Sequence, residues 1–404
     1  MALDLYQTAA QLEVATAHIG NLGDRRAHQM DIALATLRGA DAATLNARVD
    51  AAQGTLAFLP AEAVEDPGVT HPHGPLPDDF TVMAVDGSHI DVNRHLPLRC
   101  SLINIGGCRL TYGAAPDAHM FSSPRLRTSD AELYLADPAS SASRQPVEGA
   151  LMGLVRAVQE AEALADAVEE TAGDLPTLAL IDGTLVLWEL GGDRYPAYVR
   201  LQLMDNGVLA ALARLRTMAQ QKPIAAASYI SLPNSSEVSN LLRLALCDYD
   251  PLGDCQRHCR AFIPGDRHCD AVNDFTDRDL FARTLAPGER SALFASRSSV
   301  VRDSYGDHKV HFFYVNVEEE IGRVEVPGWV ADNPALLELT HTLVIDNARR
   351  GGGYPVVLQE AHEQAVVTGA DREAFAAMVE RALEGQRLPV YTSQKQRSKR
   401  QRYV

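Results

Sequence analysis

The sequence carries two stretches of one design, Thr81-Val82-Met83-Ala84-Val85-Asp86-Gly87-Ser88 and Leu178-Ala179-Leu180-Ile181-Asp182-Gly183-Thr184. In each, an apolar run predicts a buried strand, and Asp-Gly with a following hydroxyl residue predicts a turn that closes the strand. Ligands of α/β proteins collect at such strand ends. Two of these ends side by side would bring the carboxylates of Asp86 and Asp182 together and make a metal site.

The segments between the two aspartates predict an RNase H-like core. Residues 99–105 and 108–112 alternate as antiparallel strands of a meander do. Residues 146–170 then have the periodicity of a long amphipathic helix. Its apolar stripe contains Leu151, Leu154, Val155, Val158, Ala161 and Ala165. Strand, meander, helix and strand, with an acid on the first and last strands, is the order of an RNase H-like α/β fold, a mixed sheet flanked by helices, whose carboxylates share divalent ions that cut phosphodiesters.

The helix before the second strand offers a third carboxylate. Glu162 lies four residues beyond Val158, the centre of the stripe, and shares its face, whereas Glu160 lies two residues beyond and points away. A charged residue on a core-facing stripe is costly unless it is paired or metal-bound. Glu162 is therefore the predicted helix ligand and Glu160 its rival, with an acid that reaches solvent from the edge of the stripe as the alternative.

A third motif near the C-terminus supplies a tyrosine and a histidine. Tyr354-Pro355 is typical of a helix entry, because proline suits the first turn. His362 follows eight residues after Tyr354, about two turns along the helix, so the two side chains can share a face. An imidazole can bind a metal or move a proton, and a tyrosine hydroxyl can hold phosphate or water. A core contact between the two is the structural alternative.

Net charge limits the kind of nucleic-acid binding that is open to the chain. The 404 residues carry a formal charge of −16, which excludes a protein that coats nucleic acid through overall positive potential but allows a local basic groove. The last ten residues contain five cations and no acid, which predicts phosphate binding by a basic tail, with a solvated end as the alternative. These cations are Lys395, Arg397, Lys399, Arg400 and Arg402.

Composition predicts a cytoplasmic protein with no membrane span. No apolar run approaches the roughly 18 residues that a span requires. The N-terminal residues lack the basic start and apolar middle of a secretory signal.

Residues 1–58 have helical periodicity and predict an N-terminal arm, and residues 59–79 form a proline-rich linker. A nuclease-like domain at 80–390 and a basic tail at 391–404 complete the predicted organisation.

A cysteine cluster lies in a predicted insertion near residues 247–270. Seven, three and nine residues separate its members, so the paired Cys-x2-Cys steps that mark zinc sites are missing. Free thiols in a loop-rich insertion are therefore the favoured interpretation, and a structural Zn²⁺ ion or an iron-sulfur centre stays open. The cluster consists of Cys247, Cys255, Cys259 and Cys269, with His258 and His268 beside them.

The chain resembles the NurA family of nucleases over about residues 82–367. The matching pieces, in the family's order, are Val85-Asp86-Gly87-Ser88, the helix with Glu162, Leu180-Ile181-Asp182-Gly183-Thr184-Leu185, and Tyr354-Pro355 with Leu358 and Ala361-His362. The resemblance implies a Mn²⁺-dependent nuclease, with Mg²⁺ as a second candidate ion. Carried over by position, it implies that Asp86, Glu162 and Asp182 are metal ligands, that Tyr354 and His362 complete the active site, and that His362 is a further candidate ligand.

The resemblance also implies a substrate and partners. The expected activity is cleavage of single-stranded DNA and 5′→3′ degradation of duplex ends, during the end resection that repairs double-strand breaks. The expected assembly is a homodimer that works with a hexameric HerA-type ATPase. The family's phosphate-contacting lysine or arginine is expected near Ser228, where this chain has none, and Lys222 or Arg243 are its candidate replacements.

Two other function classes stay open. One is an RNase H-like scaffold that has lost catalysis and serves as an adaptor for an ATPase. The other is an actin-like ATPase, because that superfamily also places Asp-Gly turns around a metal-phosphate site. The ATPase needs a glycine-rich adenosine loop and a second Asp-Gly-rich phosphate turn, for which Arg349-Arg350-Gly351-Gly352-Gly353 is the only candidate.

Overall fold

The structure, a computed structural model, describes residues 4–20, 23–92, 98–171, 173–249, 254–259, 267–273 and 275–387. Its α-helices are α1 (Leu5–Gly20), α2 (Gly23–Arg38), α3 (Ala42–Ala51), α4 (Asp130–Leu133), α5 (Ala150–Thr171), α6 (Ala197–Arg200), α7 (Leu209–Ala219), α8 (Glu237–Ala245), α9 (Cys255–His258), α10 (Asp277–Phe281), α11 (Ser299–Ser304), α12 (Gly328–Ala331), α13 (Pro334–Arg350), α14 (Val356–Ala365) and α15 (Gly369–Gly385). A π-helix at Leu201–Val208 and 3₁₀ turns at Trp188–Leu190, His268–Val272 and Gly306–His308 complete the helical segments.

The strands are β1 (Glu62–Ala63), β2 (Thr70–Pro72), β3 (Phe80–Ile90), β4 (Ser101–Tyr112), β5 (Asp117–Arg127), β6 (Tyr134–Asp137), β7 (Ser140–Pro146), β8 (Thr177–Asp182), β9 (Ile224–Ile230), β10 (Glu289–Ser291), β11 (Phe294–Ala295), β12 (Val310–Asn316) and β13 (Ile321–Pro327). The chain divides into two compact units. Unit 1 comprises Met1–Pro72, Ser231–Ser298 and His311–Arg323, and unit 2 comprises His73–Ile230, Ser299–Val310 and Val324–Val404.

Unit 2 contains a mixed sheet in the order β9-β8-β3-β4-β5. The strands β3, β8 and β9 are parallel, whereas β3, β4 and β5 form an antiparallel meander. Helices α5 and α14 both contact β3. The predicted fold class, an RNase H-like α/β core with a mixed sheet flanked by helices, is confirmed.

Two local predictions about this sheet are wrong. Residues 99–105 and 108–112 were predicted as two strands, but Ser101–Tyr112 is one strand that pairs along its length with β5. Asp86-Gly87-Ser88 was predicted to close its strand, but β3 continues to Ile90, and Gly87 and Ser88 pair with β4. Gly87 is therefore part of an extended strand. Gly183, by contrast, has a φ of +86° and makes the predicted turn after β8.

The register of β3 and β8 places the two predicted aspartates side by side. Val85 is opposite Ile181 in the parallel ladder, so the next residues, Asp86 and Asp182, are level with each other. Val85 packs in the core that contains the buried face of α5. Because side chains alternate along a strand, Asp86 projects to the other face of the sheet. There β8 ends and β3 continues, which leaves a notch in the sheet beside the two carboxylates.

Two glycines bring helices close to opposite faces of the β3–β4 pair. A Cβ atom on Gly106 would lie 2.3 Å from the backbone nitrogen of Ala365 at the end of α14. Asn104 Nδ2 donates hydrogen bonds to the carbonyl oxygens of Gln364 and Ala365 and fixes the same helix end on β4. On the other face, a Cβ atom on Gly87 would lie 2.5 Å from Glu160 Oε1 of α5. At Gly106 the neighbouring atoms are backbone, so only glycine permits the approach, whereas at Gly87 a larger residue would displace the Glu160 side chain.

The predicted apolar stripe of α5 is buried along its length. Its rotation, however, differs from the one inferred from the sequence. Val158 packs against Gly207, since a Cβ atom on that glycine would lie 2.8 Å from Val158 Cγ1. Val158 thus faces the π-helix, and the position four residues further along is not directed at β3.

Unit 1 has its own strands and a helical layer. Its strands pair in the order β1-β11-β12, with β10 joined to both β12 and β2. The predicted proline-rich linker therefore contains two short paired strands, β1 and β2. Helices α2 and α3 contact α8, and their apolar residues share a core cluster with Leu241 and Phe281. Among the helices that the structure describes, none has the length and apolar character that crossing a membrane requires.

Candidate active site

Two hydrogen bonds join the C-terminal motif to the two aspartates. Tyr354, just before α14, donates its hydroxyl to Asp182 Oδ1 at 2.9 Å. His362, two turns later, lies with Nδ1 2.7 Å from Asp86 Oδ2. The Tyr354 ring also packs edge-on against the buried ring of Tyr229, with centroids 5.7 Å apart. The structure therefore brings together Asp86, Asp182, Tyr354 and His362 at the notch of the sheet, as the sequence predicted.

The third carboxylate at this notch is Glu160 and not the preferred candidate, Glu162. Glu160 is 6% exposed and lies over Gly87, which leaves room for it because glycine has no side chain. Glu162 instead lines a separate groove with His119 and Arg125 of β5. The preference for Glu162 is wrong because Val158, the residue taken as the centre of the core-facing stripe, packs against Gly207 of the π-helix. The rival residue named with it occupies the position.

Arg156 is a site residue that the sequence reasoning missed. Its Nη1 donates to the carbonyl oxygen of Gly87 at 2.9 Å, and its Nε lies 3.2 Å from Glu160 Oε1. That carboxylate oxygen is buried and has no hydrogen-bond donor among the described residues. The spacing of Arg156 and Glu160, one helical turn apart, was the available signal, because an i, i+4 pair shares one face.

The three carboxylates repel one another. Burial above all, together with the charges of Asp86 and Asp182, raises the pKa of Glu160 to about 8 against the opposing effect of Arg156. Protein atoms around its carboxyl also raise the pKa of Asp182, although the residue borders solvent, and Asp86 adds to that shift. Repulsion of this kind is relieved by a proton or by a cation.

A buried glutamate fixes the turn that follows Asp182. Glu325 Oε2 accepts hydrogen bonds from the hydroxyl of Thr184 and from the backbone N–H of Leu185, both at 2.8 Å. The Tyr305 hydroxyl accepts from the N–H of Leu187 and donates to the carbonyl of Leu185. Glu325 and Tyr305 are each 1% exposed. The end of β8 is thus held rigidly, and with it the position of the Asp182 carboxylate.

A cleft of about 430 Å³ opens beside the carboxylates. Arg156, Glu160 and Asp182 line one part of it, and the turn after β8 lines the rest. Trp188 at the end of that turn also borders the cleft and leaves 44% of its surface exposed. The cleft therefore combines acidic groups, one guanidinium and an exposed indole.

The residues present suit a hard divalent cation. Carboxylate oxygens are the ligands that Mn²⁺ and Mg²⁺ prefer, and here three of them come from β3, α5 and β8. One of them, Glu160 Oε1, is a buried oxygen without a donor. Among the described residues, no group of three or more His, Cys, Asp or Glu side chains is already arranged to hold an ion. To bind an ion, the carboxylates would have to move closer together. Asp86 would then give up its contact with His362, and Asp182 its hydrogen bond from Tyr354, in favour of the ion.

The predicted phosphate-contacting cations are not at this notch. Lys222 precedes β9 and so lies at the strand end opposite to the one that pairs with Asp182. Arg243 is buried within unit 1, where its guanidinium lies 3.5 Å from Asp270. Ser228 itself is fully buried in β9. The predicted basic tail lies outside the described residues. It comprises Lys395, Arg397, Lys399, Arg400 and Arg402.

Comparison with known families agrees with this site. The family model of the NurA domain matches residues 80–367. This span is more than half of the chain and includes the whole group of site residues from Asp86 to His362. No curated protein matches the chain at a significant level.

The pKa of Glu160 predicts a pH-dependent gain in stability for Glu160→Gln in metal-free protein. A folded-state pKa raised from 4.5 to about 8 means that the stability contributed by this group is complete below pH 4.5 and is lost as the pH rises through 8. The neutral amide avoids that loss. Urea unfolding in EDTA should show the variant equal to wild type near pH 4.5 and more stable by about 2–5 kcal/mol at pH 9.

Glu363→Gln is the matched control, since Glu363 is an exposed acid on α14. Its effect should stay within about 0.5 kcal/mol at every pH. If the stability difference between Glu160→Gln and wild type does not change with pH, the pKa of Glu160 is not raised in the folded protein.

Proposed function

Because the chain belongs to the NurA family of nucleases, we propose that it is a deoxyribonuclease that depends on a divalent ion held by Asp86, Glu160 and Asp182. The observation that supports this most strongly is the convergence of three mutually repelling carboxylates at one notch of the sheet. Keeping them there is unfavourable in the absence of a cation. Residues that are kept although they lower the stability of the folded protein are typical of functional sites.

Mn²⁺ is the proposed ion, with Mg²⁺ as the second candidate. When bound, such an ion would polarise the scissile phosphate and activate the attacking water. Asp86, Glu160 and Asp182 would supply its oxygen ligands, and His362 is a further candidate through its ring nitrogen. The protein holds these ligands on β3, α5 and β8, and the packing of these three elements fixes their relative positions.

His362 and Tyr354 are proposed to act on the substrate side of the carboxylates. With Nδ1 of His362 directed at Asp86, Nε2 is the ring nitrogen left to receive or deliver a proton. The imidazole side chain is 60% exposed, so a DNA strand can reach it. Tyr354 orients Asp182 through its hydroxyl and can alternatively hydrogen-bond a phosphate oxygen.

Arg156 is proposed to replace the family's missing cation near Ser228. Its guanidinium orients Glu160 and remains 35% exposed, facing the cleft that contains Asp182. Guanidinium groups pair readily with phosphate oxygens. The same side chain can therefore offset the charge of Glu160 and contact the DNA backbone.

The proposed substrate is DNA with an accessible end or a single-stranded region, and the proposed process is end resection in double-strand break repair in the cytoplasm. The proposed partner is a HerA-type hexameric ATPase that delivers the strand. Single-strand cleavage and 5′→3′ degradation of duplex ends are the activities that this family membership favours. The cleft supports the choice of a single strand, because an exposed indole beside the carboxylates offers a stacking surface to an unpaired base.

The nuclease proposal is tested with end-labelled single-stranded and duplex DNA in Mn²⁺, Mg²⁺ or EDTA. Asp86→Asn, Asp182→Asn and Glu160→Gln should each reduce the Mn²⁺-dependent rate by at least about 100-fold, because each removes an ion ligand. Glu162→Gln is the matched control on the same helix and should retain wild-type activity, since Glu162 lines a different groove.

Full activity in Glu160→Gln together with loss in Glu162→Gln would overturn the assignment of the helix ligand. A folded wild-type chain that degrades no DNA with any divalent ion, yet binds the ATPase, would favour the adaptor function instead. The actin-like ATPase alternative loses its support in the structure, because Gly351–Gly353 connects α13 to α14. A phosphate loop of that kind joins a strand to a helix.

Trp188 is proposed to stack on a base of the strand in the cleft. Base–aromatic stacking contributes about 1–3 kcal/mol per base, so Trp188→Ala should raise KM for single-stranded DNA roughly 10-fold while changing kcat little. Trp188→Phe keeps an aromatic face and should stay within about threefold of wild type. Equal KM values for wild type and Trp188→Ala would remove the stacking role.

A homodimer is proposed for the full chain. β5 is the last strand on one side of the unit 2 sheet, and among the described residues no strand pairs with its outer edge. Exposed apolar side chains, including Met120 and Leu126, lie on this strand. Edges of this kind commonly pair between copies.

Light scattering during gel filtration should give a mass of twice the 43.8 kDa of one chain. A mass of one chain contradicts the dimer. Co-elution with the ATPase tests the proposed partner.

A further inference from the structure

Four thiols of unit 1 surround one small cavity. The cavity is enclosed by the end of α8, by α9 and by the 3₁₀ turn at His268–Val272, and its volume is about 20 Å³. The cysteines that line it are Cys247, Cys255, Cys259 and Cys269. They come from three separate segments of the chain, so the fold, and not sequence adjacency alone, collects them.

The four thiols are free, partly buried and close to one another. Each is unpaired in the structure. Burial raises the pKa of Cys259, and the other three thiols each act on it as well, two of them from other segments. The remaining cysteines, in unit 2, are also free and buried, Cys108 on β4 and Cys100 directly before it.

Two arginines are placed to balance negative charge on the sulfurs. Arg243 is 6% exposed, and its Nη2 points to Cys269 Sγ at 3.9 Å. Its Nε is buried and has no partner among the described residues. Arg267 lines the same cavity. Guanidinium groups beside cysteines favour thiolates, and outer groups of this kind orient and balance metal-bound sulfurs.

We propose that Cys247, Cys255, Cys259 and Cys269 of unit 1 together bind one structural Zn²⁺ ion. Four thiolates around Zn²⁺ carry a net charge of −2. Arg243 and Arg267 offset this charge in part, because both guanidiniums also pair with Asp270. The absence of Cys-x2-Cys pairs does not oppose this, because the fold supplies the convergence that sequence spacing lacks.

The small volume of the cavity separates this proposal from an iron-sulfur centre. A volume of about 20 Å³ is close to the space that one water molecule needs, and it suits a single ion more closely than a cluster of several iron and sulfur atoms. The thiols have to close in, because no group of three or more ligand side chains among the described residues is already arranged around an ion. Structural zinc sites commonly form in this way, with the ion assembling its own ligands.

The ion would join loop-rich segments to the helical layer of unit 1. Arg48 of α3 donates hydrogen bonds to the carbonyl oxygens of Leu244 and Ala245, which anchors the end of α8 just before Cys247. Among the described residues beyond Cys247, the segments that line the cavity form one short α-helix, α9, and one 3₁₀ turn. A four-thiolate ion would tie these short segments together.

Elemental analysis of the full chain, purified without chelator, tests the proposal. Wild type should contain about one zinc per chain, and Cys259→Ser and Cys269→Ser should each lose most of it. Cys100→Ser and Cys108→Ser are matched controls and should retain the ion. Asp182→Asn should retain it as well, which separates this ion from the one proposed at the carboxylates.

A second measurement covers variants that do not fold. Wild type produced with Co²⁺ should show the visible bands of tetrahedral cobalt and thiolate-to-cobalt charge transfer in the near ultraviolet. Wild-type protein that is folded and free of zinc overturns the proposal, as does zinc that survives in both cysteine variants. Iron with acid-labile sulfide in place of zinc also overturns it.

Discussion

The close approach of two helices to opposite faces of the β3–β4 pair is the constraint on which the active site depends. Gly87 admits α5, and Gly106 admits α14, to distances that any side chain would block. From one face comes Glu160 and from the other His362, and both reach the notch beside the end of β8. A larger residue at Gly106 would move α14 and with it His362, and one at Gly87 would displace the side chains of Glu160 and Arg156, so either change would separate the candidate site residues.

That arrangement is electrostatically unfavourable, which explains the rigid construction around it. The charge of Asp86 raises the pKa of both Glu160 and Asp182, and carboxylates that repel in this way would move apart if their supports were flexible. Asp182 is held by Tyr354 and by a turn fixed through buried Glu325, and Glu160 is held between Arg156 and the β3 backbone. The hydrogen bonds and packing of the scaffold therefore offset the cost of this repulsion, which the proposed cation would relieve.

The sequence predicted the parts of this site that depend on period and strand ends. The apolar run at 178–181 identified β8 closely, and Tyr354 and His362 followed from a proline-started helix. The sequence-based prediction was wrong where tertiary packing determines which face of a helix is directed at the sheet. The rotation of α5 depends on the contact between Val158 and Gly207, which is distant in sequence, so Glu162 was preferred to Glu160.

The two Asp-Gly steps show the same limit, since one glycine serves a turn and the other a helix approach. Sequence alone cannot separate these uses.

The two proposed metal sites differ in ligand chemistry, and this difference is what would keep their ions apart. Unit 2 offers carboxylate oxygens next to a solvent cleft, which suit Mn²⁺ or Mg²⁺ and allow exchange with substrate. Unit 1 offers four thiols around a small enclosed space, which suit Zn²⁺ and exclude substrate. Zn²⁺ binds most nitrogen, oxygen and sulfur sites more tightly than Mn²⁺ does. A thiolate site that binds it tightly and a carboxylate site that favours harder ions can therefore coexist in one chain, each selecting its ion by the softness of its ligands.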